Sequence, residues 1–458
     1  MADERSLVKR ASKRALGGWV FFDWAAQPFY TLVTTFLFAP YFASGFIGDS
    51  VRGQALWGYG AALAGLLVAF GSPVIGAIVD GTGRRKVWIG GFSIIFALAM
   101  SALWYAEAGA VDRVWFILLA FVVATVMAEF ITVLTNSMMV SLVPLHEIGR
   151  LSGIGWAVGY MGGLVSLVIM AGLIVSDPGT GKTLLGLTPI IDLDGAFREG
   201  DRLVGPFSAL WYLVFVLPFF LFTPQSSQPP LGKATLGEGL ADLWETLKSV
   251  RQYGNVFLFL LARLFYVDGL SAIFAFGGIY GASVFGWQAF ELGLFGIILT
   301  IAGVFGALVG GWLDDHLGAA RVISWSLVGL IVATLGIVSI DRGHILFVYP
   351  VAEPEAGGGA LSSIGEMVYL GFGCLIGLVA GPLQSASRSL LARLAPREKI
   401  TQFFGLFAFS GKVTAFIAPL MVALVTTMSG SQRLGVATIL IFLVVGLLII
   451  KRVNKRTN

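Results

Sequence analysis

Twelve separated apolar stretches dominate this 458-residue chain, at about 18–46, 56–79, 87–107, 114–140, 151–175, 207–222, 256–285, 290–312, 321–340, 364–391, 402–428 and 433–451. Most reach the ~20 residues that an α-helix needs to cross the hydrocarbon layer of a bilayer. Segments such as Leu63 to Val79 and Leu434 to Ile450 are apolar on every side. A membrane β-barrel would instead alternate apolar and polar residues in short strands, so the pattern excludes it. With 57% hydrophobic and 12% charged residues, the composition also lies outside the soluble globular range. The expected fold class is an all-α polytopic membrane protein with twelve transmembrane helices in two six-helix bundles.

An even number of spans places both termini on one side. Lys and Arg are concentrated in the tails and in the loops after even-numbered spans, whereas Arg52, Arg113, Lys182, Arg198, Arg202, Arg342 and Arg433 mark the opposite loops. Positive charge is retained on the cytoplasmic side, which predicts both termini inside and, in a bacterium, the inner membrane. The same rule accounts for the formal charge of +4 without nucleic acid as a partner. Arg5, Lys9, Arg10, Lys13 and Arg14 precede the first span with no cleavage signal, which reads as a retained cytoplasmic tail. The predicted domains are 1–222, a linker at 223–255, and 256–458. An amphipathic helix carrying Leu236, Leu240, Leu243, Trp244 and Leu247 is expected in the linker. In the loop from Ser176 to Pro206, the Asp194-Gly195 turn predicts a small hairpin.

The two bundles read as copies of one ancestor. Gly76, Asp80, Gly83 and Lys86 recur 235 residues later as Gly311, Asp315, Gly318 and Arg321, each set following a long apolar run. A second match, at an offset of 252, relates Pro144, Gly153 and Gly159 to Pro396, Gly405 and Gly411, pairing the fifth span with the eleventh. In the first motif the Asp ends a helix, where its carboxylate can face the positive end of a neighbouring helix dipole, and the Gly permits a tight reversal. The candidate gating residues are therefore Gly76, Asp80, Gly83, Arg84, Arg85, Asp315, Gly318 and Arg321. The fifth-span glycines, Gly153, Gly155, Gly159, Gly162 and Gly163, allow close helix approach.

The loop residues Gly76, Asp80, Gly83, Arg84 and Arg85 resemble the signature of the major facilitator superfamily, with Gly81 where a basic residue often follows the Asp. Three further segments, F-F-D-W-A-A-Q-P-F-Y (Phe21 to Tyr30), S-G-I-G-W-A-V-G-Y-M-G-G (Ser152 to Gly163) and R-L-F-Y-V-D-G (Arg263 to Gly269), narrow the resemblance. They look like the branch that holds the vacuolar autophagy-related amino-acid effluxers and their bacterial relatives. The resemblance implies a secondary transporter of amino acids or similar metabolites. That branch commonly has an Asn where Ala26 or Gln27 stands here.

Polar side chains inside the spans mark the candidate substrate site, because an ionisable group at the bilayer centre is costly unless it faces protein or a water-filled cavity. Asp23, Gln27, Thr31 and Thr34 form one helical stripe on the first span, and Thr125, Glu129, Thr132 and Asn136 form another on the fourth. The second half contributes Asp268, Gln384, Arg388 and Lys412. Asp23 and Asp268 both follow aromatic runs in corresponding spans and are candidate repeat equivalents. Arg263 and Asp268 lie five residues apart, about 140° around a helix, so one of them should pair elsewhere. The substrate-binding set is thus Asp23, Gln27, Glu129, Asn136, Asp268, Gln384, Arg388 and Lys412. Its mixed charge suits a zwitterionic or small polar solute held between the halves and released by alternating access. A shielded carboxylate can carry a proton, which gives Asp23 or Glu129 a route to proton coupling.

Enzymatic chemistry finds no support. G-T-G-K-T at Gly179 to Thr183 lacks the first glycine of a phosphate loop, since Ser176 stands there. His146, His316 and His344 have no metal-ligand spacing, the lone Cys374 excludes an intrachain disulfide, and no cofactor is implied. The remaining alternatives are transport of lipid or hydrophobic drug, and a receptor or scaffold that reuses the fold. The partners expected are a solute, protons and the lipid bilayer around a monomer.

Overall fold

The computed structural model describes residues 8–177, 179–225, 253–287, 289–352 and 363–453. The amphipathic linker helix expected around Leu236 to Leu247 lies outside them. Among the described residues, twelve helices are long and apolar enough to cross a membrane. They are α1 (Lys13–Phe46), α2 (Ser50–Thr82), α3 (Arg85–Tyr105), α4 (Val111–Ser141), α5 (Leu145–Ile174), α6 (Glu199–Phe222), α7 (Gly254–Phe285), α8 (Glu291–Leu317), α9 (Ala319–Val338), α10 (Ile364–Leu394), α11 (Arg397–Ser429) and α12 (Gln432–Val453).

Several helices extend beyond their apolar runs because polar residues cap their ends. Asp49 starts α2 by accepting the N–H groups of Val51 and Arg52, and Gly83, at φ 66°, ends it in a left-handed turn that other residues rarely adopt. Ser363 and Glu366 close a reciprocal capping box at the start of α10. The sixth helix begins at Glu199 rather than near residue 207, because Glu199 and Asp201 supply negative charge to its first turn. The expected Asp194-Gly195 hairpin is not formed. Asp194 accepts the Ala196 N–H in a local turn that leads into α6, and the strand-like pairing of this loop joins Ser176 to Thr183 instead.

The chain divides into two compact units. The first comprises residues 1–144, 158–243 and 396–409, and the second 145–157, 244–395 and 410–458. Each therefore carries a short helical segment from the other half of the sequence: the first half of α11 belongs to the first unit, and the first half of α5 to the second. In the first unit α1 packs on α6, α2 on α4, and α3 on both α4 and α6. In the second, α7 packs on α12, α8 on α10, and α9 on both α10 and α12. Shifting every helix number by six turns one list into the other, which is the duplication expressed as packing.

Interruptions in α1 and α11 bear on the candidate residues. After Pro28, α1 widens into a π-helical stretch from Phe29 to Phe36, where Thr34 and Thr35 both donate to the Tyr30 carbonyl. Thr31 and Thr34 therefore leave the α-helical register shared by Asp23 and Gln27. In α11 the α-helix stops at Lys412, a turn occupies Val413 to Phe416, and helix resumes at Ile417.

Candidate functional site

Each unit contains a carboxylate that receives the start of a helix from the other sequence half. In the first unit Asp80, at the end of α2, is 6% exposed. Its Oδ2 accepts the backbone N–H of Gln402 in the first turn of α11 at 3.0 Å, and its Oδ1 accepts Nη2 of Arg85 at 2.8 Å. Arg85, equally buried, also donates from Nε to the Thr401 hydroxyl, which is in turn bonded to Ser137. Gly76 makes the approach possible: a Cβ there would lie 2.6 Å from the Thr401 carbonyl oxygen. Gly405 fits against Ser72 and Pro73 for the same reason.

The second unit repeats the arrangement with different chemistry. Asp315 accepts the N–H groups of Gly149 and Arg150, in the first turn of α5, at 2.8 and 3.0 Å. Gly311 meets Gly149 and Gly153 backbone to backbone. The arginine here is Arg393, from the end of α10, which pairs with Asp314 and lies 3.4 Å from Asp315. Ser389 also donates to Asp314.

The remaining motif residues have local roles. Gly83 and Gly318 hold positive φ at the two reversals. Arg84 is exposed, and Arg321 is an exposed residue donating to the Leu317 carbonyl at 3.3 Å. Lys86 caps the end of α6 by donating to the carbonyls of Phe220 and Thr223, both at 2.7 Å. Thr401, Gln402, Asp314, Ser389, Arg393 and Ser152 were not singled out by the motif, because it names one side of each contact. The signal for the other side was the offset of 252: it carries Gly149 and Arg150 onto Thr401 and Gln402.

The candidate substrate residues separate by environment. In the first unit Asp23, Gln27 and Glu129 are each half-buried, and Asn136 is buried. The small residues of α5 bring its second half against the Asp23 face of α1. A Cβ on Gly159 would lie 3.3 Å from that of Asp23, and one on Gly163 would lie 2.8 Å from Cγ of Gln27. Tyr30 joins the group, with Glu129, Thr132 and Asp23 as its polar neighbours. In the second unit Gln384 and Lys412 are half-buried, Lys412 standing where α11 breaks. Asp268 is 1% exposed. Arg388 is engaged inside the protein, donating from Nε to the Ser152 hydroxyl at 2.9 Å and from Nη2 to the Ser152 carbonyl at 2.7 Å, with the Trp156 ring beside it. Arg263 donates to the Ser410 hydroxyl at 2.9 Å.

Comparison with known proteins places these features in a lineage. A family model described as "Vacuole effluxer Atg22 like" matches residues 141–457. An uncharacterized MFS-type transporter of Bacillus subtilis, YxiO, is 25% identical over 99% of this chain and 97% of its own length. Autophagy-related protein 22 of Cryptococcus neoformans is 28% identical over 66% of this chain, and the match spans about half (52%) of that longer protein. Among solved structures, a variant of the E. coli fucose:proton symporter FucP superposes with a TM-score of 0.67 at 14% identity, covering 96% of this chain and 98% of its own. The human organic anion transporter MFSD10 gives 0.68 at 12%, covering 96% and 99%. At such identities these two structures speak to the fold alone. The chain is an integral multi-pass membrane protein with the twelve-helix fold of the major facilitator superfamily, and it belongs to the Atg22-like family of membrane transporters.

Proposed function

We propose that this transporter moves a small polar, zwitterionic solute of the amino-acid class by alternating access, with Asp23, Gln27 and Glu129 of the first unit and Gln384 and Lys412 of the second as solute-recognising residues. The observation that carries the reading is the half-buried state of these five side chains inside membrane spans. A charged group at that depth that is not sunk into packed protein is tolerated where it faces water or cargo. Carboxylates are complementary to a solute's amino group, and an ammonium to its carboxylate. The description of the family as vacuole effluxers supports an efflux direction and names no solute. Asn136 and Arg388 are buried, and Arg388 is engaged by Ser152, so both act as structural residues. The two helix latches, at Asp80 and Asp315, are the gating elements, and the charge distribution of the loops supports a cytoplasmic location for both termini.

The test is flux of labelled amino acids and other small metabolites in proteoliposomes, with and without an imposed pH gradient. Saturable flux of a zwitterionic solute, weakened by Lys412→Ala and by Asp23→Asn, is expected. Absence of saturable flux for every solute would remove the reading, and flux indifferent to Lys412→Ala would remove that residue from the site.

A further inference from the structure

Outside the membrane spans, the loop that joins α5 to α6 carries an apolar surface that the packing of the helices does not cover. Leu184, Leu185, Leu187, Ile190 and Ile191 are each between 42% and 66% exposed. A contiguous apolar patch on an otherwise polar loop marks a place where something is met. The backbone beneath these side chains is turned the other way. The N–H groups of Thr183, Leu184, Gly186, Leu187 and Ile190 all bond within the protein, and Pro189 has no N–H to place. A segment with its backbone donors inward and its apolar side chains outward suits a medium that offers few hydrogen bonds.

Two of those bonds fix where the loop lies. The Leu184 N–H reaches the Ala171 carbonyl at 3.0 Å and the Ile190 N–H reaches the Leu173 carbonyl at 2.9 Å, so the loop closes carbonyls at the end of α5, where the helix widens over Met170–Ile174. Leu185 rests on Gly172: a Cβ added there would lie 3.0 Å from Cδ1 of Leu185 and 3.8 Å from Cγ1 of Val168. Val168 belongs to an exposed apolar stripe on α5, with Met161 and Val165 at helical spacing, that faces the lipid around the spans. The loop therefore continues the lipid-facing surface of α5. Polar residues stand at its two ends. Before it, Asp177 accepts the N–H groups of Gly179 and Thr180, and Lys182 is exposed; after it, Asp192 and Asp194 are exposed. Charge at both ends and hydrocarbon between them fit a segment that lies along a membrane interface rather than across it.

We propose that residues 183–191 are an interfacial anchor, seated among the headgroups and upper acyl carbons of the leaflet opposite the chain termini. The five apolar side chains enter that layer, while Asp177, Lys182, Asp192 and Asp194 stay in water. Lipid is the occupant because the patch is continuous with the lipid-facing stripe of α5 and its backbone donors are already engaged. The anchor ties to one leaflet the end of the helix whose Gly159 and Gly163 face Asp23 and Gln27.

The experiment uses the full-length protein in phosphatidylcholine nanodiscs, labelled at one cysteine with an environment-sensitive nitrobenzoxadiazole dye. The chain has one cysteine, Cys374, so Cys374→Ser provides the background for Leu187→Cys, Ile190→Cys and, as the polar control, Lys182→Cys. At 187 and 190 the emission should shift to the blue, nitroxide-bearing phosphatidylcholine should quench it, and iodide should quench it several-fold less than at 182. Iodide quenching as strong at 187 and 190 as at 182 overturns the anchor. Protection from both iodide and nitroxide lipid also overturns it, since protein, whether a second copy or another chain, would then cover the patch. All three side chains are exposed, and should either apolar-site variant fail to fold, the other decides.

Discussion

Replacing Asp80 by Asn tests the latch of the first unit most directly. The carboxylate receives two donors, the Arg85 guanidinium at 2.8 Å and the Gln402 N–H at 3.0 Å, on different oxygens. An amide has one oxygen, so whichever way Asn lies, its NH2 faces one of those donors. Arg85 then loses its counter-charge while its side chain stays 2% exposed. Removing one partner of a buried ion pair costs about 3–5 kcal/mol, because the remaining charge is left uncompensated. Thr401 still accepts from Arg85 Nε, which favours the lower end, about 3 kcal/mol. If that loss falls on the local opening that frees the start of α11, exchange of the Gln402 amide should accelerate by roughly 150-fold. Hydrogen-exchange mass spectrometry of peptides within 396–409 reads this directly, and peptides from α9 serve as the unaffected control. An acceleration below roughly threefold, in protein whose control peptides are unchanged, would refute the claim that Asp80 holds α11 by its amino-terminal N–H groups.

Other substitutions separate structural from solute-recognising residues. Gly163→Val places atoms against Gln27 and Thr31, and should lower the thermal midpoint by an overpacking cost of about 1–3 kcal/mol as well as reducing flux. Arg388→Ala leaves the buried Ser152 carbonyl without its donor and should destabilise the protein by about 1–3 kcal/mol, whereas Lys412→Ala should weaken flux with a near-normal melt. Outside the membrane, Asp177 accepts the N–H groups of Thr180 and Gly179, which hold its carboxyl below the ordinary range. With the folded value depressed, its contribution to the loop is present above the unfolded value and lost as pH falls through the folded one. Exchange at residues 179–187 should therefore rise in acid, below the usual carboxylate range, and Asp177→Asn should flatten that dependence.

The helices were legible because lipid forces backbone pairing to close within each segment, so long apolar runs leave little choice of structure. Their ends were less legible: α2 begins at Ser50 because Asp49 caps it, and α6 at Glu199, where acidic residues occupy the first turn ahead of the apolar run. The widening of α1 after Pro28 was also hidden, since an apolar stripe reads the same at 3.6 residues per turn or slightly more. Within the site, residue type could mark Asp23, Glu129, Arg388 and Lys412 as costly, but not where each cost is met. Arg388 meets it at Ser152, 236 positions earlier in the chain, and Asp268 lies beside Thr414 of α11. Pairings over such separations depend on which glycine lets which helix come near, and a single helix face does not contain that information.

The two latches show what the duplication preserved and what it left free. The offset of 235 carries Gly76 and Asp80 onto Gly311 and Asp315, and the offset of 252 carries Arg150 onto Gln402. Both contacts obey both offsets: a carboxylate at the end of one helix accepts N–H groups at the start of another, across a glycine that clears the way. The arginine obeys neither. Its position after Asp80 becomes Ala320 in the second copy, and the charge is supplied there by Arg393, whose counterpart in the first copy is Ser141. The same geometry is thus neutralised from two directions, by the first residue of α3 in one unit and by the end of α10 in the other. Backbone N–H groups are available at the start of any helix, so this half of the contact survives sequence drift once the glycine is kept. A guanidinium has only to reach the buried carboxylate, and several positions allow that. The second unit also carries two carboxylates, Asp314 and Asp315, for its one arginine, with Ser389 and two backbone N–H groups making up the difference. Its latch therefore relies more on hydrogen bonds to neutral donors and less on charge pairing than the latch built by Asp80 and Arg85.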